Sequence, residues 1–306
     1  MFFLRGRVLA VLFLCTLVGC GAASNAPKPG QKVIGVTLLT QSHDFFKDLE
    51  EGLQEEAKKH DFHLVIQSAE FDPTIQARQL EDFVTQKVDA IVVCPCDSDT
   101  VATSLRGADE AGIPVFTADI AAKDANIVCH VASDNFQGGQ LAARALAKAI
   151  GEQGDVLIID HPTVSSVQDR TRGFETALRD YPKVRIVGKP SAEGQRSKAV
   201  AVMEDALISY PELRGVFGIN DESALGALRA VEAASREVAI IGYDATPDAR
   251  DAIARGTALK ADVVQYPRKI GVTTIDSIAR HFKGEKLEAN MPVEVGVVDQ
   301  AALKSK

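Results

Sequence analysis

Short apolar runs alternate with amphipathic stretches along the chain from Val33 onward. The runs are rich in valine and isoleucine and predict strands, whereas stretches between them, such as Phe45–Lys59 and Lys269–Phe282, have the apolar period of helices. Strands that are apolar throughout are buried on both faces, which is typical of a parallel sheet covered by helices. The predicted strands are Val33–Leu39, His63–Gln67, Ala90–Cys94, Pro114–Ala118, Ile127–Val131, Asp155–Ile159, Arg185–Gly188, Gly215–Ile219, Val238–Gly242, Leu259–Val264 and Val293–Val298.

The alternation also repeats on a larger scale. Residues 33–67 have the order strand, polar loop, long helix, strand, and residues 155–188 repeat that order. About 275 residues follow from Lys32 onward, which is enough for two domains of ordinary size. Two similar α/β lobes therefore explain the length and the repeat better than one very large sheet.

The N-terminal segment has the order of an export signal rather than of a membrane span. Arg5 and Arg7 precede an apolar run over 8–18, which is shorter than the ~20 residues that a spanning helix needs. The run ends in Leu17-Val18-Gly19-Cys20, which resembles the bacterial lipoprotein box, in which the cysteine is acylated. An ordinary signal with a chance cysteine is the alternative. The lipoprotein interpretation predicts a signal peptide over 1–19, and a lipidated Cys20 with a flexible linker over 20–31.

Composition and charge narrow the range of partners. The chain has 46% hydrophobic and 25% charged residues, which is usual for a globular protein, and a formal net charge of −8. An acidic chain without clusters of lysine and arginine does not suit nucleic acid, because that binding depends on neutralising phosphates. Cys94-Pro95-Cys96 has no second cysteine or histidine pair at zinc spacing, so we interpret it as small residues closing a buried strand.

Polar side chains follow several predicted strands at their carboxyl ends. Asp119, Asn220 and Asp244 come directly after apolar runs, and Phe45 and Phe46 follow the first run closely. Ligands of open α/β sheets bind at these strand ends, although aspartate and asparagine there also cap helices. The sequence contains no serine-hydrolase, zinc-protease or phosphate-loop motif. Acids and amides beside aromatic rings suit a neutral polyhydroxylated ligand, with no catalysis, metal or cofactor required.

At these residues the chain resembles the ribose-binding branch of the periplasmic sugar-binding proteins, over about Lys32 to Val298. The order and spacing of five stretches carry the resemblance. They are Asp44-Phe45-Phe46, Asp97-Ser98-Asp99, Ala132-Ser133-Asp134-Asn135, Asn220-Asp221-Glu222-Ser223-Ala224-Leu225-Gly226-Ala227-Leu228-Arg229-Ala230 and Gly242-Tyr243-Asp244-Ala245-Thr246-Pro247-Asp248.

The resemblance implies a periplasmic-binding-protein-like type I fold, in which two doubly wound parallel-sheet lobes are joined by three hinge crossings. Lobe one would comprise 32–133 and 266–294, and lobe two 134–265 and 295–306. A sugar would lie in the cleft between the lobes, with aromatic rings against its C–H faces and polar groups on its hydroxyls. The ligand-binding residues that the resemblance implies are His43, Phe45, Phe46, Asp119, Arg170, Asn220, Asp244 and Gln265.

Three positions depart from the pattern of that family. His43 stands where the family has an asparagine, Ile120 where it has an arginine, and Gly194 where it has a third aromatic residue. All three lie at the expected ligand site. They therefore change the expected preference for ribose and leave the expected fold unchanged.

Together with the lipoprotein box, this resemblance implies a lipid-anchored, monomeric receptor of the cell envelope. It would capture a monosaccharide or related polyol by hinge closure and deliver it to the permease of an ABC importer. An alternative is a sensor that presents its closed, sugar-bound form to a chemoreceptor or sensor kinase. A sugar-responsive repressor is disfavoured by the export signal, and an enzyme is disfavoured because no catalytic set is present.

Overall fold

The computed structural model describes residues 26–305, and ten of the eleven predicted strands lie within two residues of their predicted ends. The strands are β1 (Val33–Leu38), β2 (His63–Ser68), β3 (Ala90–Val93), β4 (Val115–Ala118), β5 (Cys129–Ser133), β6 (Gly154–Ile159), β7 (Val184–Gly188), β8 (Leu213–Gly218), β9 (Ala239–Asp244), β10 (Leu259–Val264), β11 (Asn290–Val293) and β12 (Gly296–Asp299). The helices are α1 (Asp44–Lys59), α2 (Pro73–Gln86), α3 (Val101–Glu110), α4 (Asn135–Ala149), α5 (Ser165–Leu178), α6 (Arg196–Ser209), α7 (Asp221–Ala233), α8 (Pro247–Ala254), α9 (Pro267–Phe282) and α10 (Gln300–Lys304).

Each of two lobes is built on a six-stranded sheet. The strand order is β11-β5-β4-β3-β1-β2 in the first sheet and β12-β10-β9-β8-β6-β7 in the second, so the two lobes repeat one topology. In each sheet the order reverses beside the first strand of the lobe, at β1/β3 and at β6/β8. Ligands of doubly wound sheets bind outside the carboxyl ends of the strands at such a point. The predicted two-lobed α/β fold is confirmed.

The last predicted strand, Val293–Val298, is wrong. The structure divides this segment into β11, which pairs in parallel with β5 of the first sheet, and β12, which pairs antiparallel with β10 of the second. Glu294 and Val295 carry the chain from one lobe to the other. Because apolar residues continue on both sides of this crossing, the sequence pattern gives no sign of the break. The chain crosses between the sheets twice more, between β5 and β6 and between β10 and α9.

Two glycines bring α4 and α5 into close contact below the second sheet. A Cβ atom at Gly139 would lie 1.9 Å from the carbonyl oxygen of Arg170, and one at Gly173 would lie 2.0 Å from that of Phe136. No other residue fits at either position without separating the helices. This close approach fixes the position of α5 and therefore the point from which the side chain of Arg170 extends.

The three cysteines among residues 26–305 are buried free thiols. Cys94 and Cys96 follow β3, and Cys129 lies in β5. Burial raises the pKa of all three thiols, that of Cys96 to about 12, so they remain protonated and unreactive. The structure therefore agrees with their interpretation as core residues.

The predicted signal peptide and Cys20 lie outside the described residues. From residue 26 to residue 305, no helix has both the length and the apolar character that crossing a membrane requires. The end of the predicted linker contacts the first lobe, since Lys28 and Gln31 both bond to Asp61, at 3.2 and 3.1 Å.

Candidate functional site

A cavity of about 430 Å³, including its solvent-open part, lies between the carboxyl edges of the two sheets. Residues from both lobes line it, together with one residue that follows β10 at a crossing between the lobes. All of the ligand-binding residues predicted from the sequence line this single cavity, and they are His43, Phe45, Phe46, Asp119, Arg170, Asn220, Asp244 and Gln265.

Arg170 is a buried cation that is fixed by the protein before any ligand binds. Its Nε donates to Asn135 Oδ1 at 2.8 Å, and its Nη1 donates to the carbonyl oxygen of Ile219 at 2.7 Å. The guanidinium lies over the ring of Tyr243, 3.8 Å from the ring centroid. Its remaining N–H groups are therefore available to a ligand from a rigid position, which lowers the entropic cost of binding.

Asp119 faces Arg170 from the first lobe. It directly follows β4, has a φ of 64° and is 5% exposed, and its Oδ1 has no hydrogen-bond partner among residues 26–305. Burial raises the pKa of this carboxyl to about 6, although the guanidinium of Arg170 acts in the opposite direction. A buried acceptor without a donor is costly. Asp119 is therefore suited to accept a hydrogen bond from a ligand hydroxyl.

The second lobe and the hinge supply Asp244 and Gln265. Asp244 ends β9, and its Oδ1 accepts a hydrogen bond from Gln265 Nε2 at 2.6 Å. Gln265 Oε1 is buried and has no partner in the described part of the chain. Burial raises the pKa of Asp244 well above its usual value, and the neighbouring Asp221 adds to this shift. The two side chains form a second polar wall, across the cavity from the first lobe.

Asn220 has the capping role that the sequence left open. Its Oδ1 accepts a hydrogen bond from the N–H of Ser223 at 2.9 Å and thereby caps α7, and its Nδ2 donates to the carbonyl oxygen of Gly194 at 3.0 Å. One N–H of the amide remains for a ligand. Asn220 thus joins the cavity wall to the loop that contains Gly194.

Aromatic rings from the first turn of α1 form the opposite side of the cavity. Phe45 and Phe46 meet edge to face at 5.2 Å between ring centroids and are almost fully buried. His43 precedes the helix and lies 5.3 Å from the ring of Phe71, and burial lowers its pKa. The C–H faces of a ring-shaped ligand can pack against these rings.

The structure adds residues that the sequence interpretation missed. His161 directly follows Asp160 at the carboxyl end of β6, and the rule that selected Asp119 also applies to it. Burial lowers the pKa of His161 to about 4, so the imidazole is neutral. Val164 and Val167, at the N-terminus of α5, were also missed. The other missed lining residues are Leu39, Phe71, Ser166 and Ile219.

All three departures from the family pattern line the cavity, and Gly194 and Ile120 alter its wall most. At Gly194, φ is 66°, and a Cβ atom would lie 3.1 Å from Asn220 Nδ2 and 3.4 Å from His161 Nδ1. A side chain at this position would therefore crowd these two groups. Ile120 is buried and lines the cavity beside Asp119, where it offers no hydrogen bond.

The lobes also touch at the rim of the cavity. The N–H of Ser98 donates to the carbonyl oxygen of Thr163 at 3.0 Å, and the N–H of Ser165 donates to Ser98 Oγ at 2.9 Å. The N–H of Ala121 donates to Ser165 Oγ at 2.9 Å. These contacts hold the two lobes together over the cavity.

Comparison with known proteins gives the same fold over almost the whole chain. The ribose import binding protein RbsB of Salmonella typhimurium is 32% identical over 287 residues, 93% of this chain and 96% of that protein. A solute-binding protein from Actinobacillus succinogenes, solved with bound D-allose, is 30% identical with a TM-score of 0.82, covering 90% of this chain and 100% of that one. A solute-binding protein from Mycobacterium smegmatis, solved with glycerol, is 30% identical with a TM-score of 0.85, covering 90% and 96%.

The family model described as a periplasmic binding protein domain matches residues 34–286. This match includes strands of both sheets, up to β10, and every predicted residue of the cavity. The chain belongs to the periplasmic binding protein family.

Proposed function

We propose that this protein is the lipid-anchored substrate-binding protein of an ABC importer and that it captures a monosaccharide or related polyol in the cavity between its lobes. One observation carries the proposal. A fixed guanidinium and two buried acceptors that have no donor among residues 26–305, Asp119 Oδ1 and Gln265 Oε1, face one cavity that also has aromatic rings on its wall. This combination matches the alternating hydroxyls and C–H groups of a sugar.

The relatives support binding and not catalysis. They are named as import binding proteins, and a myo-inositol complex from Bacillus halodurans, 28% identical with a TM-score of 0.83, joins the allose and glycerol complexes. The prediction that the chain is not an enzyme is confirmed by these relatives. Within the proposal, it is an exported envelope protein that acts as a monomer.

The proposed mechanism is closure of one lobe against the other. Lobe one would be residues 32–133 and 266–294, and lobe two residues 134–265 and 295–306, turning about the three crossings. Asp119 and Arg170 lie on opposite lobes, so a ligand that bonds to both holds the lobes together. The rim contacts of Ser98 with Thr163 and Ser165 would form in the same step.

A thermal-shift panel tests the proposal directly. The purified chain from residue 26 onward is melted with D-ribose, D-allose, D-galactose, D-fucose, L-rhamnose, myo-inositol, xylitol and glycerol. At least one sugar or polyol is expected to raise the melting temperature in a saturable manner. The matched control is the Arg170→Met variant, which removes the fixed donor and should show no shift. If no member of the panel shifts the wild type, the proposed ligand class is wrong.

The lipid anchor makes a separate prediction about Cys20. Cys20→Ser is expected to move the protein expressed in a bacterial host from the membrane fraction to the soluble fraction, because two or more acyl chains are needed for stable anchoring. Membrane fractionation with labelled palmitate measures this. Cys129→Ser, at a buried cysteine of the first lobe, is the control and should retain the label. Wild-type protein found wholly in the soluble fraction would refute the anchor.

Ligand affinity should fall in acid because of Asp119. Its pKa of about 6 means that the carboxylate is ionised at pH 7 and protonated at pH 5, where it is a weaker acceptor. We expect affinity to drop by up to about tenfold between these pH values. Folding stability changes in the opposite direction, since a raised pKa stabilises the fold as the pH falls from 6 towards 4. A weaker complex in acid therefore does not reflect unfolding.

Titration calorimetry of Asp119→Asn identifies the group responsible. This variant is expected to bind more weakly at pH 7 and to lose most of the change between pH 7 and pH 5. Asp99→Asn, at an exposed carboxylate paired with Lys123, should keep the wild-type pH profile. An unaltered pH profile in Asp119→Asn would show that another group titrates.

A further inference from the structure

The turn after β9 carries Asp244 into the cavity in a strained backbone conformation. Asp244 and Ala245 have φ values of 122° and 59°, so two consecutive residues other than glycine lie in the left-handed region. Such conformations persist only where the surrounding structure enforces them. The contacts of this turn therefore show what holds the Asp244 carboxylate in the cleft.

Two buried carboxylates hold the turn. Asp221, the first residue of α7, accepts hydrogen bonds from the N–H and the hydroxyl of Thr246 at 2.7 and 2.6 Å. Asp262, on β10, accepts one from the N–H of Ala245 at 3.1 Å. Asp221 is 2% exposed and Asp262 is fully buried. Each of them uses one carboxylate oxygen, Asp221 Oδ2 or Asp262 Oδ1, to fix the turn.

The other two oxygens of this carboxylate pair, Asp221 and Asp262, come together beside Gly242. A Cβ atom at Gly242 would lie 2.3 Å from Asp262 Oδ2 and 3.0 Å from Asp221 Oδ1. Neither oxygen has a hydrogen-bond donor from residues 26–305. Two ionised carboxylates in such a site repel each other, whereas a proton between them forms a charge-assisted hydrogen bond.

The charged groups around the pair do not neutralise it. Asp244 on β9 and Glu222 on α7 are themselves acidic. Arg250 of α8 donates to the carbonyl oxygen of the turn at 2.7 Å, and Arg170 of α5 is bonded to other groups. Burial raises the pKa of both members of the pair. These groups thus leave the pair without the positive charge that one proton would supply.

We propose that Asp221 and Asp262 share one proton and that this hydrogen-bonded pair positions the turn that presents Asp244 to the ligand. The role in binding rests on the proposed function, whereas the shared proton does not. In the unfolded chain both aspartates ionise near their ordinary pKa of about 3.9, so folding at neutral pH takes up one proton. The stability that the pair contributes therefore falls as the pH rises from about 4 to its raised pKa.

Asparagine variants of the ligand-free protein test the shared proton. Asp262→Asn and Asp221→Asn each place an amide N–H where the proton would be, so each single variant keeps the hydrogen bond and folds without taking up a proton. At pH 8 we expect each to melt at or above the wild type, by up to about 2–4 °C. The difference in melting temperature between each variant and the wild type should decrease towards pH 5, where the solvent readily supplies the proton of the wild-type pair.

The double variant shows whether the two groups act as a pair. Asp221→Asn with Asp262→Asn sets two amides against each other and removes the acceptor, so it should melt several degrees below either single variant. Asp251→Asn, at an exposed position on α8, is the control and should match the wild type at every pH. Additive effects, or single variants that melt below the wild type with an unchanged pH dependence, would overturn the shared proton.

A ligand titration separates this inference from the proposed function. With D-allose, D-fucose and D-ribose as probes, the double variant should bind at least about tenfold more weakly than the single variants. If all three melting predictions hold and no sugar of the panel binds the wild type, the shared proton stands and the proposed function fails. If sugars bind and the double variant binds as well as the single variants, the pair does not position Asp244.

Discussion

Replacing Asp244 with alanine lowers the affinity for the captured sugar by about 10–150-fold for each hydroxyl that the carboxylate accepts. A hydrogen bond to a charged group contributes about 1.5–3 kcal/mol, which corresponds to that range in the dissociation constant. Gln265 occupies one oxygen of Asp244 at 2.6 Å, and a long contact of 3.4 Å from the N–H of Asp221 reaches the other. Asp244 therefore retains acceptor capacity towards the cavity.

The same substitution should not destabilise the fold. Desolvation and the nearby Asp221 raise the pKa of Asp244, so the ionised carboxylate is unfavourable in the folded protein. Removing it relieves this repulsion, so the ligand-free Asp244→Ala variant should melt at or above the wild type. A loss of function with a gain of stability is typical of a binding site that holds charge for a ligand.

Calorimetric titration and thermal melting of two variants check this prediction. Asp248→Ala is the matched control, since this exposed residue follows the same turn and its carboxylate contacts Arg196 at 3.3 Å, outside the cavity. It should keep the wild-type affinity, because an exposed ion pair contributes little. Binding by Asp244→Ala within twofold of the wild type would place the ligand elsewhere.

The fold could be predicted because the burial of each strand and helix is reflected in the pattern of apolar residues along that element. Strands β1, β3 and β9 are apolar on both faces, and the helices between strands are amphipathic, so each element is readable in its own residues. The apolar pattern alone does not show the crossing at Glu294 and Val295, since which sheet a strand joins depends on distant partners. An apolar segment has the same sequence pattern whether it forms one strand of one sheet or two strands of different sheets. The lobe bounds that place a crossing there come from the family resemblance.

The polar side of the cavity was predictable for a related reason. Parallel strands bring their carboxyl ends to one edge, so Asp119 and Asp244 could be chosen by position alone. The contacts around two other positions of the cavity, Arg170 and Gly194, were not predictable. Asn135 fixes Arg170 across two helices, and a Cβ atom at Gly194 would lie 3.4 Å from His161 Nδ1. Both contacts join residues at least 30 positions apart, and neither leaves a pattern in the sequence.

We expect the apolar wall beside Asp119 to determine which sugar fits. Ile120 of the first lobe lies in one apolar cluster with Val164 and Val167 of the second, and all three side chains line the cavity. The bond from the N–H of Ala121 to Ser165 Oγ brings the two sides of this wall together. A hydroxyl against the wall loses its water without gaining a partner, at a cost of about 1–3 kcal/mol. A methyl or methylene group there instead gains about 0.8 kcal/mol.

We therefore expect D-ribose to bind poorly and a hexose, deoxy-sugar or substituted pentose to bind better. Calorimetry on three matched pairs measures this preference, and the pairs are D-fucose with D-galactose, L-rhamnose with L-mannose and 2-deoxy-D-ribose with D-ribose. In one pair the deoxy sugar should bind more tightly by about 5–150-fold, which corresponds to the free-energy cost of the unpaired hydroxyl. Ile120→Asn supplies a polar partner and should narrow or reverse that preference, whereas Ile75→Asn, at a half-exposed position on α2, should leave it unchanged. Both variants carry the same isoleucine-to-asparagine change, but only the one at Ile120 alters the wall of the cavity. Tight binding of D-ribose that exceeds every other member of the panel would refute this account of the wall.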